Sequence, residues 1–119
     1  MKPTETHIEQ PAPNEAIIRL YLDTDLNWFR GHFSVQPLLP GVAQIDWVMH
    51  YAQTLLAPGW DCASVEMVKF QLPLQPKDNL RLKIHWEETK HRLTFQYDVE
   101  SSDSGEYKTA SQGKIKLCR

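Results

Sequence analysis

WFRGHFSVQPLLPGVAQID, residues 28–46, changes character halfway along. Its first part carries Gly31, Pro37 and Pro40 without periodic apolar residues, which marks an irregular loop, with a short helical turn expected around Leu26 to Phe29. Its last part opens a helix at Pro40-Gly41. Val42, Ile45, Met49, Ala52 and Leu56 recur at spacings of three and four, and Pro58-Gly59 ends the pattern after about Ala57. On this phase Asp46 falls at the edge of the apolar face, between Val42 and Met49 and one turn before His50, where a carboxylate is at least half-desolvated. His32 stands in the middle of the loop.

Around this helix the chain reads as strands. Asn14 to Asp23 alternates, with Ile18, Leu20 and Leu22 on one face. Residues 1–13 are polar and proline-bearing and are expected to form a flexible segment ahead of a single domain over 14–119. Downstream, Ala63 to Phe70 is a less clean strand and LPLQPKDN a connector. Leu80 to Trp86 alternates strictly, Leu93 to Val99 repeats the pattern, and Tyr107 to Leu117 follows the SSDSGE turn. Strands joined by short turns do not make a doubly wound parallel sheet. The expected class is α+β, one antiparallel sheet of about five strands wrapped around a long central helix.

Composition narrows the function. A net charge of −2 with no Lys/Arg run argues against nucleic acid, and no stretch is apolar for the ~18 residues that a membrane span needs. The N-terminus has no apolar signal core, which points to a cytoplasmic location. Cys62 and Cys118 match no metal or redox spacing and read as reduced structural thiols, and His7, His50, His85 and His91 form no ligand pattern. Neither metal nor cofactor is expected.

His32 and Asp46 each have a structural explanation, as a hydrogen-bonded loop histidine and as a carboxylate near the positive end of a helix. Together they flank the Pro40-Gly41 helix start, whose unpaired backbone N–H groups can hold a developing oxyanion. A base that titrates near neutrality, a carboxyl group that burial favours in its protonated form, and N–H donors are the parts that elimination or hydration on a thioester requires.

FRGHFSVQPLLPGVAQID resembles the active-site segment of the 3-hydroxyacyl-[acyl carrier protein] dehydratases of the FabZ/FabA group, in Gly31-His32-Phe33, Pro37, Pro40-Gly41 and Asp46. KFQLPLQPKDNL, from Lys69 to Leu80, is similar to that family's later strand and turn. Within the group, the short chain and divergent loop look most like the ApeI-type enzymes of aryl-polyene pathways. The resemblance implies the hotdog fold and dehydration of a carrier-bound 3-hydroxyacyl thioester in fatty-acid or aryl-polyene-type biosynthesis. It makes His32 the base at C2, Asp46 the acid at the C3 hydroxyl, and the Gly41 N–H the group polarising the carbonyl. Phe33, Val42, Trp47 and His50 would line the substrate path, with Trp47 shaping the acyl tunnel or a dimer contact. His50 stands where many members have Gln and either tunes Asp46 or replaces that Gln.

Implied partners are an acyl carrier protein and a second subunit: a homodimer or higher homo-oligomer, or a heterodimer with a homologous dehydratase, the histidine of one subunit meeting the acid of the other. Carrier proteins are acidic, so Arg30, Lys69, Lys77 and Arg81 are candidate docking positions. This chain departs from the pattern at Ser34-Val35 for Pro-Gly after the histidine, and at Pro76-Lys77-Asp78 for the turn's Pro-Gly-Asp. The competing functions are a hotdog acyl thioesterase and a non-catalytic carrier-binding partner subunit.

Overall fold

A computed structural model describes residues 3–23, 41–101 and 103–119. The elements in chain order are β1 (Thr4–Ala12), β2 (Glu15–Tyr21), α1 (Gly41–Leu55), β3 (Asp61–Phe70), β4 (Asn79–Glu87), β5 (Arg92–Glu100) and β6 (Tyr107–Cys118). The strands form one antiparallel sheet in the order β1-β2-β4-β5-β6-β3.

Register turns the alternation of each strand into rows of core side chains. Ile18 pairs with Leu82 and Leu82 with Tyr97, while Trp86 pairs with Leu93 and Leu93 with Ile115. All six are buried, on the face against which α1 packs. A one-residue slip would send each of them to the other face, so this apolar alternation is what specifies the register. The row through Ala16, Ile84 and Phe95 ends on Gly113. A Cβ there would lie 2.5 Å from the Met67 carbonyl oxygen and 2.8 Å from the Phe95 ring, so glycine is what lets β3 and Phe95 close on β6.

Two expectations are corrected. Residues 4–12 do not fray: they form β1, the sixth strand, which pairs with β2 at the sheet edge. TETHIEQPA offers no apolar face, and its side chains are almost all exposed. Backbone pairing holds it, helped by Tyr51 Oη donating to Glu5 Oε1 at 2.9 Å and Gln10 Nε2 donating to the Leu55 carbonyl at 3.2 Å. Burial and the Glu5 carboxylate together push the Tyr51 phenol well above its ordinary range.

The second correction concerns the phase of α1. Its buried side chains are Ala43, Gln44, Trp47, Val48, Tyr51 and Ala52, while Val42 is 59% exposed and Asp46 is exposed. Of the stripe expected from Val42, Ile45, Met49, Ala52 and Leu56, only Ala52 is fully buried; Ile45, Met49 and Leu56 are partly so. The reason is Gln44, a polar residue turned into the core: Ser111 Oγ donates to its Oε1 at 2.7 Å and Tyr97 Oη donates to its carbonyl at 2.6 Å. The Ser111 bond offsets part of the cost of burying the Gln44 amide, and Trp47 and Tyr51 are buried on the same side of the helix.

On the opposite face of the sheet Asp98 is 2% exposed. Arg81 Nη2 lies 3.0 Å and Lys83 Nζ 3.4 Å from its Oδ2, and Gln96 Nε2 donates to its Oδ1 at 2.7 Å. Burial alone would push this carboxyl group up. The hydrogen bonds from Gln96 and Arg81 and the charges of Lys83 and Arg81 outweigh it, and the net shift is downward. A depressed native value adds stability that is present above the unfolded carboxylate range, near ~3.9, and is lost as pH falls through the native value. Urea midpoints measured at pH 5 and then at progressively lower pH should therefore fall less steeply for Asp98→Asn than for the parent. Equal slopes would show that the cluster contributes nothing to acid lability.

Candidate active site

Gly41 begins α1, where the first N–H groups have no partner within the helix. Val42 and Asp46 follow, one turn apart and both exposed. The core therefore takes the Ala43/Trp47/Tyr51 side of the helix and leaves the carboxylate on the other. The half-desolvated setting expected for Asp46 is not supplied by this chain's own core. His50, one turn further, is half-buried, its ring edge-on to Tyr51 at 5.0 Å between centroids. Trp47, expected to shape a tunnel or a dimer contact, is 2% exposed in the core. His32, Phe33, Arg30 and the turn expected near Leu26 to Phe29 lie outside the described residues.

Sequence reasoning missed Phe70 at this place. A Cβ on Gly41 would lie 2.5 Å from Phe70 Cζ, so the ring abuts the first residue of the helix. Phe70 is 53% exposed and Leu72 39%, and both rise from a backbone pinned to β6, since the N–H groups of Gln71 and Leu72 both donate to the Ala110 carbonyl, at 2.8 and 3.0 Å. Phe70 and Val42 thus leave exposed apolar side chains at the helix start. An apolar residue next to a strand end was the available signal, but only the fold brings residue 70 to residue 41.

Of the cations expected to dock a carrier, three lie among the described residues. Lys69 is exposed on β3 and Lys77 is exposed in the turn before β4. Arg81 is committed to Asp98 and stacks over the Tyr107 ring, 4.1 Å from its centroid. Cys62 and Cys118 end up on neighbouring strands, exposed and unbonded. Among the described residues no group of three or more His, Cys, Asp and Glu side chains is placed to hold a metal, and no helix is long and apolar enough to cross a membrane.

Lys77 also explains one departure in sequence. Its φ is 73°, in the left-handed region that favours glycine, and it occupies the middle of Pro76-Lys77-Asp78. The turn is held by Asp78 Oδ2, which accepts the Gln75 N–H at 2.8 Å, and by the Lys77 N–H donating to the Leu22 carbonyl at 2.7 Å. Burial pushes the Asp78 carboxyl up, against the Gln75 N–H, which draws it down. Lys77→Gly removes the left-handed strain but frees the unfolded chain, so a net gain of about 0.5–1 kcal/mol is expected in denaturant unfolding. A loss would mean that the lysine side chain itself holds the turn.

Comparison with known proteins gives the family of the chain. The model of the ApeI-like family, described as ApeI dehydratase, matches residues 7–114. A chain of the dehydratase heterocomplex ApeI:P from Xenorhabdus doucetiae is 70% identical over the whole of both chains, with a TM-score of 0.93. An uncharacterized protein from Erwinia carotovora subsp. atroseptica is 48% identical, with 99% of this chain and 97% of that one covered and a TM-score of 0.89. The dehydratase domain of the polyketide PpsC from Mycobacterium tuberculosis, at 18% identity and a TM-score of 0.75, matches the whole of this chain over 45% of its own length and bears on the fold alone. No curated protein matches in sequence. The six-stranded sheet around α1 is the hotdog fold of these neighbours, and the chain belongs to the ApeI-like dehydratase family.

Proposed function

We propose that this protein dehydrates a 3-hydroxyacyl thioester carried on an acyl carrier protein to the trans-2-enoyl thioester, in fatty-acid or aryl-polyene-type biosynthesis. The observation that carries this reading is the placement of Asp46: an exposed carboxylate one turn from Val42, on the face of α1 turned away from the core and in the second turn of the helix that Gly41 begins. Membership of a dehydratase family supports it. In the reaction His32 takes the C2 proton and Asp46 gives a proton to the C3 hydroxyl, which leaves as water while the C2–C3 double bond forms. The Gly41 N–H stabilises the charge that develops on the thioester oxygen.

A second subunit completes the site. Asp46 and Val42 face outward, and β3 is an edge strand with Val65, Met67 and Phe70 exposed. Unpaired edge N–H and C=O groups beside apolar side chains fit a partner strand. That partner is a second copy or a homologous dehydratase; the relative at 70% identity comes from a heterocomplex. Lys69 and Lys77 are the exposed cations that would meet the acidic carrier; Arg81 is the weaker candidate because Asp98 already engages it.

The test is mass spectrometry of carrier-bound 3-hydroxyacyl and saturated acyl chains of several lengths after incubation with the protein, alone and with a co-produced homologue. Loss of one water from the hydroxyacyl chain is expected. Free carrier thiol from both substrates would identify a thioesterase, and no change under either condition a non-catalytic partner.

A further inference from the structure

We propose that Phe70 is a positioning residue of this site, its ring seated against Gly41 to fix the first turn of α1 and keep water from the N–H that polarises the thioester carbonyl. The inference rests on the dehydratase reading above and adds a residue from a distant part of the chain. Three observations carry it.

The contact is too close to be incidental. The space where any other residue would place its Cβ is taken by the ring, with Cζ, Cε2 and Cε1 at 2.5, 3.1 and 3.2 Å. Any residue other than glycine at 41 would have to displace the ring of residue 70. Second, the backbone that carries the ring is held. Phe70 pairs with Ser111 in the β3–β6 ladder, and the next two N–H groups are both fastened to Ala110. Third, the ring does not serve this chain's own core. It is 53% exposed and stands outside the cluster of buried side chains. A hydrogen bond to a developing oxyanion is worth more where water is excluded, because the local dielectric is lower and no solvent competes for the donor. An aromatic edge beside the donor supplies that exclusion and costs no polar group.

The experiment compares the parent with Phe70→Ala, Phe70→Tyr, Gly41→Ala and the double variant, on one carrier-bound 3-hydroxyacyl substrate. Phe70→Ala is expected to lower kcat about tenfold with KM held within about twofold, since it weakens an interaction made mainly in the transition state. Its melting temperature should stay within about 3 °C of the parent's, as for a half-exposed side chain. Phe70→Tyr sets a hydroxyl on Cζ, the ring atom nearest Gly41, and should also lose kcat. Gly41→Ala drives a methyl into the ring and should also lose kcat, and removing the ring from that variant should cost nothing further, because the two residues act as one unit.

An unchanged kcat in Phe70→Ala, a change confined to KM, or losses that multiply fully in the double variant would each overturn the inference. Should Phe70→Ala fail to fold, Phe70→Leu carries the same kcat and KM comparison. A parent protein that does not dehydrate the substrate either alone or with the co-produced homologue refutes the dehydratase reading and this inference with it; a parent that does, beside an equally active Phe70→Ala, refutes this inference alone.

Discussion

Asp46→Asn should lower kcat for dehydration by about 10²–10⁴-fold, the range that a placed proton donor supplies. The substitution keeps the shape of the side chain and removes the titrating group. Asp46 is exposed and takes no part in the bonds that seat α1, which run from Ser111 and Tyr97 to Gln44. Stability should therefore stay within about 0.5 kcal/mol of the parent. A large loss of turnover with unchanged unfolding would assign Asp46 to chemistry, whereas full activity would remove it from the site. His32→Ala belongs in the same measurement as the proposed base, and a similar loss is expected. The two losses should not multiply, because acid and base act in one elimination.

The largest effect on stability should come from Gly113→Ala, at about 3 kcal/mol, the upper part of the range for overpacking a filled core. The added methyl would meet the Met67 carbonyl oxygen, and backbone in the middle of a strand pair does not step aside as a side-chain tip can. It would also press on Phe95, itself 1% exposed and locked between Ile84 and Gly113 in the row. Relief requires β3 to move away from β6, which breaks the ladder that carries Phe70 to α1. Urea titration at one fixed protein concentration measures the loss, since association would otherwise shift the midpoint. A change below about 0.5 kcal/mol would mean that β3 sits more loosely than its register implies.

Strands whose two faces differ were legible from sequence. Leu80, Leu82, Ile84 and Trp86 alternate with Arg81, Lys83 and His85, and all four are buried. β1 was not legible, because TETHIEQPA buries almost nothing and is held by backbone bonds that any residue types can make. The helix was found but its rotation was not: apolar counting passes over Gln44, whose partners Tyr97 and Ser111 lie more than fifty residues on. The same limit hid Asp98. In Thr94-Phe95-Gln96-Tyr97-Asp98 it reads as part of a solvated face, and only pairing with β4 brings Arg81 and Lys83 over it. At the candidate site, residue types and spacing marked Asp46 and Gly41, since both lie within one segment. Phe70 required the third dimension.

The order β1-β2-β4-β5-β6-β3 also bears on how the protein comes into being. β3 follows α1 directly in the chain, yet among the described residues its one neighbour in the sheet is β6, the last of these strands in sequence order. Until residues 107–118 have left the ribosome, β3 has both edges unpaired and Val65, Met67 and Phe70 in water. Such a segment invites association with other chains during exactly that interval. Yield in the cell should thus depend on how fast β6 arrives and on whether a partner is already present to cover the waiting strand.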